Sequence, residues 1–224
     1  MVVKYIFNEW LKRIKRLLCH LHCLDKSKNI FYLPSQHFWE WIIDLPFYIM
    51  DIIFVPEVYY LGMRLFKWKI RKLNPEELTL GKSIFHDSIN YNLVRVDDNA
   101  TFGIKRIAIA YVSFNVINFQ KEIKKEIFIH ELVHIWQYQH FGSVYIGRAI
   151  KAQKSLEGYD YGGVEKLYTI MMKGGSLLDF NFEQQADIIE DYFKIKKQKD
   201  SNTSMVLNVY QYFANHLFVQ LSLK

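Results

Sequence analysis

The sequence predicts an α+β fold in which short strands precede two core helices. Strands are predicted at 92–96 and 107–114, where β-branched and aromatic residues dominate. The first core helix contains Ile127–Trp136, which is apolar on nearly all sides and is therefore expected to be buried. The second covers 180–193, with Asn181 as its N-cap. Its apolar stripe has helical spacing and consists of Phe182, Ala186, Ile189 and Phe193.

The chain divides into a helical N-terminal region, 1–73, and a second domain, 74–224. The boundary lies at Asn74-Pro75, where a proline at the first helical position and an asparagine cap predict the start of a helix. Residues 1–24 alternate apolar and basic side chains and predict a basic amphipathic helix. Residues 37–70 are strongly aromatic, but prolines and acidic residues interrupt the apolar run, so no transmembrane span is predicted. Attachment to a membrane surface and packing on the core both stay open for residues 1–73.

Composition excludes a disordered chain, because 50% of the residues are hydrophobic and 17% are aromatic. The formal net charge of +6 is modest, and no recognition-helix motif accompanies it, so no nucleic-acid partner is expected. The N-terminus lacks the features of a cleaved signal peptide, which favours a cytoplasmic location with or without membrane contact. Cys19 and Cys23 are expected to be free thiols, since no second ligand pair with zinc-finger spacing follows them.

The segment His130-Glu131-Leu132-Val133-His134 has the H-E-x-x-H arrangement of zinc hydrolases. Residues i and i+4 of a helix share one face, so His130 and His134 can bind one Zn²⁺ ion through their imidazoles. Glu131 is not a ligand in this arrangement. It is expected to act as the general base toward water and then as an acid toward the leaving group. Two packed core histidines are the competing interpretation.

Two residues are candidates for the third zinc ligand. His140 lies six residues after His134, where metzincins place their third histidine, but Gln137 replaces the glycine that lets the metzincin chain turn back. The helix is therefore expected to continue toward Gly142. Glu183 is the favoured ligand, with Asp187 one turn later to orient a ligand histidine through its other ring nitrogen. The alternative interpretation is that Glu183 and Asp187 simply form a solvated acidic helix face.

H-E-x-x-H followed by Glu183-Gln184-Gln185-Ala186-Asp187 resembles the gluzincin metallopeptidases. A wider resemblance covers about residues 75–195 and links the chain to small metallopeptidase domains encoded near bacterial secretion and contractile-injection genes. That resemblance rests on the two metal motifs together with Ser83–Asn90, Val94–Val96, Trp136-Gln137 and Tyr159–Gly163. It implies a zincin-like fold, a Zn²⁺ cofactor held by His130, His134 and Glu183, and a peptide or protein substrate that pairs with a strand edge in 107–119.

Several features stay open in the sequence. Four tyrosines between the two metal motifs are candidates for stabilising an oxyanion, namely Tyr145, Tyr159, Tyr161 and Tyr168. Residues 194–202 are predicted to form a basic polar loop, and 205–223 a closing helix. The alternative function is a catalytically inactive, zinc-stabilised binding or structural protein linked to a secretion system. A purely structural site, however, has no use for a base at Glu131.

Overall fold

The computed structural model describes residues 2–22, 37–66, 70–101, 109–198 and 204–219. These residues form an α+β fold, as predicted, with helices around a small three-stranded sheet. The helices are α1 (Val2–His22), α2 (Phe38–Ile52), α3 (Val55–Phe66), α4 (Pro75–Phe85), α5 (Lys125–Phe141), α6 (Val144–Lys154), α7 (Gly163–Met172), α8 (Phe182–Lys197) and α9 (Ser204–Val219). The strands are β1 (Arg95–Asp97), β2 (Ala110–Ser113) and β3 (Val116–Phe119), and a short 3-10 helix spans Leu177–Asp179.

The sheet has the order β1-β3-β2, with β1 parallel and β2 antiparallel to the central strand β3. β1 begins at Arg95 rather than at residue 92, because residues 90–94 form turns closed by backbone hydrogen bonds such as Val94 N to Tyr91 O. The predicted strand 107–114 appears as β2, which begins at Ala110; residues 102–108 lie outside the described part of the chain. β2 is an edge strand among the described residues, and β3 is buried throughout.

Helix α5 is the buried centre of the fold, as its apolar sequence predicts. Ile129, Leu132, Val133 and Ile135 are completely buried, and the helix continues to Phe141 before Gly142 ends it with a positive φ of 79°. A residue without a side chain adopts this conformation at low cost. The helix packs on the sheet and, most extensively, on α8. The two helices that carry the predicted ligands are therefore direct neighbours.

Helix α8 begins where the sequence predicts. The Asn181 side chain accepts from the Gln184 backbone N–H, and the Gln184 side chain accepts from the Asn181 backbone N–H, which is a complete capping box. All four residues of the predicted apolar stripe are buried. The predicted loop 194–202 is wrong for its first part, because the helix continues to Lys197; residues 199–202 lie outside the described part of the chain. Its last turn is held by ion pairs from Lys194 to Glu190 and from Lys197 to Glu126.

The N-terminal region is attached to the rest of the fold mainly through α2. Arg148 of α6 pairs with Asp44 at 2.6 Å and with Glu40 at 3.2 Å, and Ser143 donates to Asp51. None of the described helices combines the length and apolar character that crossing a bilayer requires. The predicted helix start at Asn74-Pro75 is confirmed, with Asn74 and Glu77 forming a second capping box. Cys19 is a free thiol, and Cys23 lies outside the described residues.

Candidate metal centre

Helices α5 and α8 bring His130, His134 and Glu183 together in the core. The Glu183 Oε2 atom lies 3.5 Å from His130 Nε2 and 3.6 Å from His134 Nε2. Among the described residues this oxygen is buried and has no hydrogen-bond partner. A tetrahedral zinc ion with bonds of about 2.0–2.1 Å would hold its ligand atoms about 3.3–3.4 Å apart. The three atoms therefore converge at a spacing that fits a shared cation better than it fits mutual hydrogen bonds.

The hydrogen bonds of Gln137 fix the tautomer of His134. The Gln137 side-chain nitrogen donates to Phe182 O at 2.9 Å and to Gln185 Oε1 at 3.0 Å, which leaves its oxygen to face His134 Nδ1 at 2.8 Å. An amide oxygen only accepts, so Nδ1 must carry the proton. The lone pair of neutral His134 is then on Nε2, the nitrogen directed at Glu183, which is the tautomer that a metal ligand needs.

His130 is oriented in the same way by two carboxylates of α8. Its Nδ1 lies 3.0 Å from Asp187 Oδ1 and 3.3 Å from Glu190 Oε2. Burial lowers the pKa of His130, but the contacts of its Nδ1 with Asp187 and Glu190 and the nearby carboxylate of Glu183 outweigh burial and raise the pKa well above its ordinary value. His130, Asp187 and Glu190 form a second group that could hold a metal. Their contacts are already explained by carboxylates that bind the Nδ1–H group.

Glu183 is a fully buried carboxylate, so a solvated acidic helix face does not describe its environment. Its second oxygen accepts a 3.0 Å hydrogen bond from the side chain of Gln153 on α6. Burial acts to raise the pKa of Glu183, but its interactions with the neighbouring His134 and His130 rings outweigh burial and lower the pKa well below its usual range. Glu183 therefore stays ionised, as a metal ligand must.

Glu131 is buried beside the cluster, with an exposed fraction of 5%. Its Oε2 atom has no hydrogen-bond partner in the described part of the chain. Burial raises its pKa, although the nearby His134 and His130 oppose the shift. A buried carboxylate without a full set of partners costs free energy, and a raised pKa favours proton transfer near neutral pH. Both properties are those of a catalytic base.

His140 belongs to neither candidate metal group among the described residues. It lies six residues after His134 on α5, where its Nδ1 is 2.8 Å from Trp136 O and its ring packs on Trp136 at a centroid distance of 4.7 Å. Because α5 does not turn back after His134, it carries His140 away from Glu183. The geometry favours Glu183 over His140 as the third member of the cluster.

The four candidate tyrosines have different surroundings. Tyr145 is buried, and its hydroxyl donates a hydrogen bond to Val112 O. The hydroxyl of Tyr161 is hydrogen-bonded to Asp191 and to the hydroxyl of Tyr210. Tyr168 is an exposed residue of α7 with no described contact to the cluster. Only Tyr159 combines exposure with proximity, since its ring centroid lies 6.2 Å from that of His130. Burial of its hydroxyl, followed by the charge of Glu183, raises the pKa of Tyr159 to about 12, so the phenol stays protonated.

Sequence reasoning missed three residues that support the cluster, namely Gln137, Gln153 and Glu190. Gln137 and Glu190 lie three residues from a predicted functional residue on the same helix, His134 and Asp187 respectively. That spacing is a usable signal, because such side chains are neighbours. Gln153 has no such signal, since its position depends on how α6 packs against α8.

No protein-family model and no solved structure matches this chain. The chain is similar to the type VI secretion system spike protein VgrG2b of Pseudomonas aeruginosa, with 32% identity over 141 residues. The aligned part makes up 57% of this chain and 13% of the length of the spike protein. The similarity agrees with the association with bacterial secretion that the sequence motifs imply.

Proposed function

We propose that this chain is a zinc-dependent metallopeptidase that hydrolyses peptide bonds. The observation that carries the proposal is the convergence of His130, His134 and Glu183 at 3.5 and 3.6 Å beside the buried, incompletely partnered Glu131. Two imidazole nitrogens and one carboxylate oxygen are a usual ligand set of catalytic zinc, which keeps a fourth position open. A structural zinc site is usually closed by four protein ligands and needs no neighbouring base.

In this proposal zinc supplies Lewis acidity, which lowers the pKa of water and polarises the substrate carbonyl. Glu131 accepts a proton from the water molecule as the water oxygen adds to the carbonyl carbon. It then delivers that proton to the amine nitrogen as the C–N bond breaks. The carboxylates of Asp187 and Glu190 hold the His130 ring, and Gln137 holds the His134 ring. Gln153 holds Glu183.

The positions of Tyr159 and of strand β2 suggest a role for each in the proposed reaction. The Tyr159 hydroxyl is the proposed donor to the developing oxyanion, because Tyr159 is the one candidate that is both near His130 and half-exposed. The edge strand β2 packs on α5 and offers backbone groups to an extended peptide. Main-chain pairing of this kind makes few demands on the sequence of the substrate.

We further infer that the activity serves bacterial secretion. The support is the similarity to the spike protein, whose name assigns it to the type VI secretion system. The aligned region is a small part of that protein, so the inference concerns this peptidase region and does not extend to the other parts of a spike. Peptide or protein substrates encountered during secretion are the expected targets.

The Glu131→Gln variant tests the proposed reaction. Cleavage of a peptide library should fall by at least about 100-fold, because the positioned base is lost. Zinc content should be unchanged, since Glu131 is not a ligand. Glu165→Gln, an exposed change on α7, is the matched control and should cleave like the wild type. Equal cleavage by wild type and Glu131→Gln would refute the role of the base.

The same experiment distinguishes a zinc-dependent peptidase from a catalytically inactive, zinc-stabilised binding protein. A wild-type protein that binds zinc but cleaves no peptide, under conditions where it is fully folded, would favour a zinc-stabilised binding protein. Tyr159→Phe provides a second check, because it should lower the maximal rate without changing zinc content. An unchanged rate would remove Tyr159 from the mechanism and leave the zinc site unaffected.

A further inference from the structure

Helix α2 has an unusual distribution of polar and apolar side chains. The residues that it buries include three acids, Glu40, Asp44 and Asp51. Its exposed side consists of large apolar residues, which we call the outer face: Phe38, Trp39, Ile42, Ile43, Ile49 and Ile53. Trp39 and Phe38 are 71% and 68% exposed. At about 100° per residue, the acids and the outer face lie on opposite sides of the helix.

The buried acids have specific partners, so the orientation of α2 is determined by the fold. Arg148 binds Asp44 and Glu40, Lys151 binds Glu40 at 3.0 Å, and Ser143 binds Asp51 through its backbone and its hydroxyl. Rotating the helix to bury its isoleucines would remove these contacts and leave Arg148 without its acidic partners, which is strongly unfavourable. The exposure of the outer face is therefore a stable property of the protein.

Helix α3 also exposes large apolar side chains. Val58, Leu61 and Leu65 are each more than half exposed, and they recur with helical spacing. So many large, well-exposed apolar side chains on two neighbouring helices are uncommon on a protein that only faces water, and such surfaces mark sites of interaction with a membrane or another protein.

The charge of the chain is concentrated in the same region. Residues 1–73 contain 12 Lys and Arg against six Asp and Glu, whereas residues 74–224 contain 17 of each. The entire excess of +6 therefore belongs to the N-terminal region. Three of its six acids are the buried ones of α2, while cations such as Lys15 and Arg64 are exposed. The N-terminal region therefore carries a net positive charge, whereas the rest of the chain is neutral.

We infer that α1, α2 and α3 form a docking surface for lipid bilayers with anionic headgroups. A bilayer interface offers hydrocarbon to the isoleucines of the outer face, a preferred environment to Trp39, and negative charge to Lys15 and Arg64. The described helices are too short or too polar to cross the bilayer, so the attachment is at its surface. The outer face shares no residue with the metal cluster, so this inference stands independently of the peptidase activity.

Flotation of the intact chain with lipid vesicles tests the inference. The protein should bind vesicles of phosphatidylglycerol and phosphatidylcholine, bind pure phosphatidylcholine much more weakly, and dissociate as salt is raised. The double variant Trp39→Gln with Ile43→Gln should bind at least about tenfold more weakly, because two large side chains no longer enter the interface. The control Leu156→Gln with Met172→Gln changes two equally exposed apolar residues elsewhere and should bind like the wild type.

A second double variant measures how much the positive charges contribute to vesicle binding, apart from the apolar contacts. Lys15→Gln with Arg64→Gln should weaken binding to anionic vesicles and reduce its dependence on salt. Thermal melting checks that each variant is folded. Failure of the wild type to bind anionic vesicles, or equal binding by the Trp39 and Ile43 variant, would overturn the inference. A dimer in solution that depends on Trp39 and Ile43, without vesicle binding, would assign the outer face to a second copy of the chain.

Discussion

Glu183 is a buried carboxylate whose nearest charged neighbours are two histidines. Removing an ionised carboxylate from water is costly, and only well-placed partners offset the cost. Gln153 satisfies one oxygen, while the other faces the two imidazoles at distances too long for good hydrogen bonds. Binding a cation at this point would supply the missing interaction. A cation held there would thus also explain an otherwise unfavourable buried group.

Loss of Glu183 should therefore lower the affinity of the protein for zinc. We expect Glu183→Ala to lower zinc affinity by at least about 100-fold, and Gln137→Leu to lower it by roughly 10–100-fold because the tautomer of His134 is no longer fixed. Chelator competition and elemental mass spectrometry measure both effects. Glu157→Ala, at an exposed position, is the control. An unchanged zinc content in Glu183→Ala would contradict the assignment of the ligand.

The pKa shifts of the histidines predict that zinc binding releases protons. The pKa of His130 in the metal-free fold is raised well above 6.5, and that of His134 is raised as well. A raised folded-state pKa means that the protonated pairs stabilise the metal-free protein below pH 6.5, and that this stabilisation is lost as pH rises through the folded pKa. Zinc binds neutral imidazoles, so below these raised pKa values it must displace protons.

Calorimetric titration in two buffers measures this release. The heat of zinc binding at pH 7 should differ between phosphate and Tris, in proportion to about one to two protons per zinc. Zinc affinity should fall as pH is lowered. Well above the raised pKa values the difference between buffers should disappear. Heats that are independent of the buffer at pH 7 would show that both histidines are already neutral.

Among the described α-helices, α4 and α8 both begin with a capping box led by asparagine, but only α8 carries a proposed metal ligand near its start. Asn74 caps α4, and Asn181 caps α8 two residues before Glu183. The Asn181 side chain also donates to Gly158 O, next to Tyr159. The cap of α8 therefore fixes the backbone from which Glu183 reaches the histidines and also contacts the loop that carries Tyr159.

This duplication provides a matched pair of variants. Asn74→Ala and Asn181→Ala should each lower the free energy of unfolding by about 1 kcal/mol, through loss of the cap. Only Asn181→Ala should also weaken zinc binding, because Glu183 is in the first turn of its helix. Denaturant unfolding and chelator competition give the two quantities. Equal zinc affinity in the two variants would show that the cap does not position the ligand.

The ligands come from distant parts of the chain, so binding of a metal should stabilise the whole fold. His130 and His134 are on α5 and Glu183 is on α8, and these two helices form the main contact of the core. At a free zinc concentration of 100 times Kd the stabilisation is about 2.7 kcal/mol. For a chain of this length, that is roughly 5–10 °C in Tm.

Scanning calorimetry with and without zinc measures the shift in Tm. A chelator should reverse it, and Glu183→Ala should show little of it. Glu131→Gln should retain the full shift, since the base is not a ligand. A shift of equal size in Glu183→Ala would mean that zinc stabilises the protein at another place.

Features that depend on local spacing were predictable from the sequence alone. The two capped helix starts at Asn74 and Asn181, the buried course of α5 and the pairing of His130 with His134 were all predictable, because caps and residues one helical turn apart are fixed by helix geometry. The same reasoning predicted the apolar stripe of α8 and placed Asp187 one turn beyond Glu183.

Tertiary structure decided everything that joins distant segments. It brought Gln153 to Glu183, selected Tyr159 among four tyrosines, and turned the acids of α2 inward and its isoleucines outward. It also set the start of β1, whose first residue Arg95 pairs with Val116 of β3, and it extended α8 beyond residue 194, where Lys197 pairs with the distant Glu126. The physical reason is that packing of whole helices, and the need of each buried charge for a partner, outweigh the preferences of short segments.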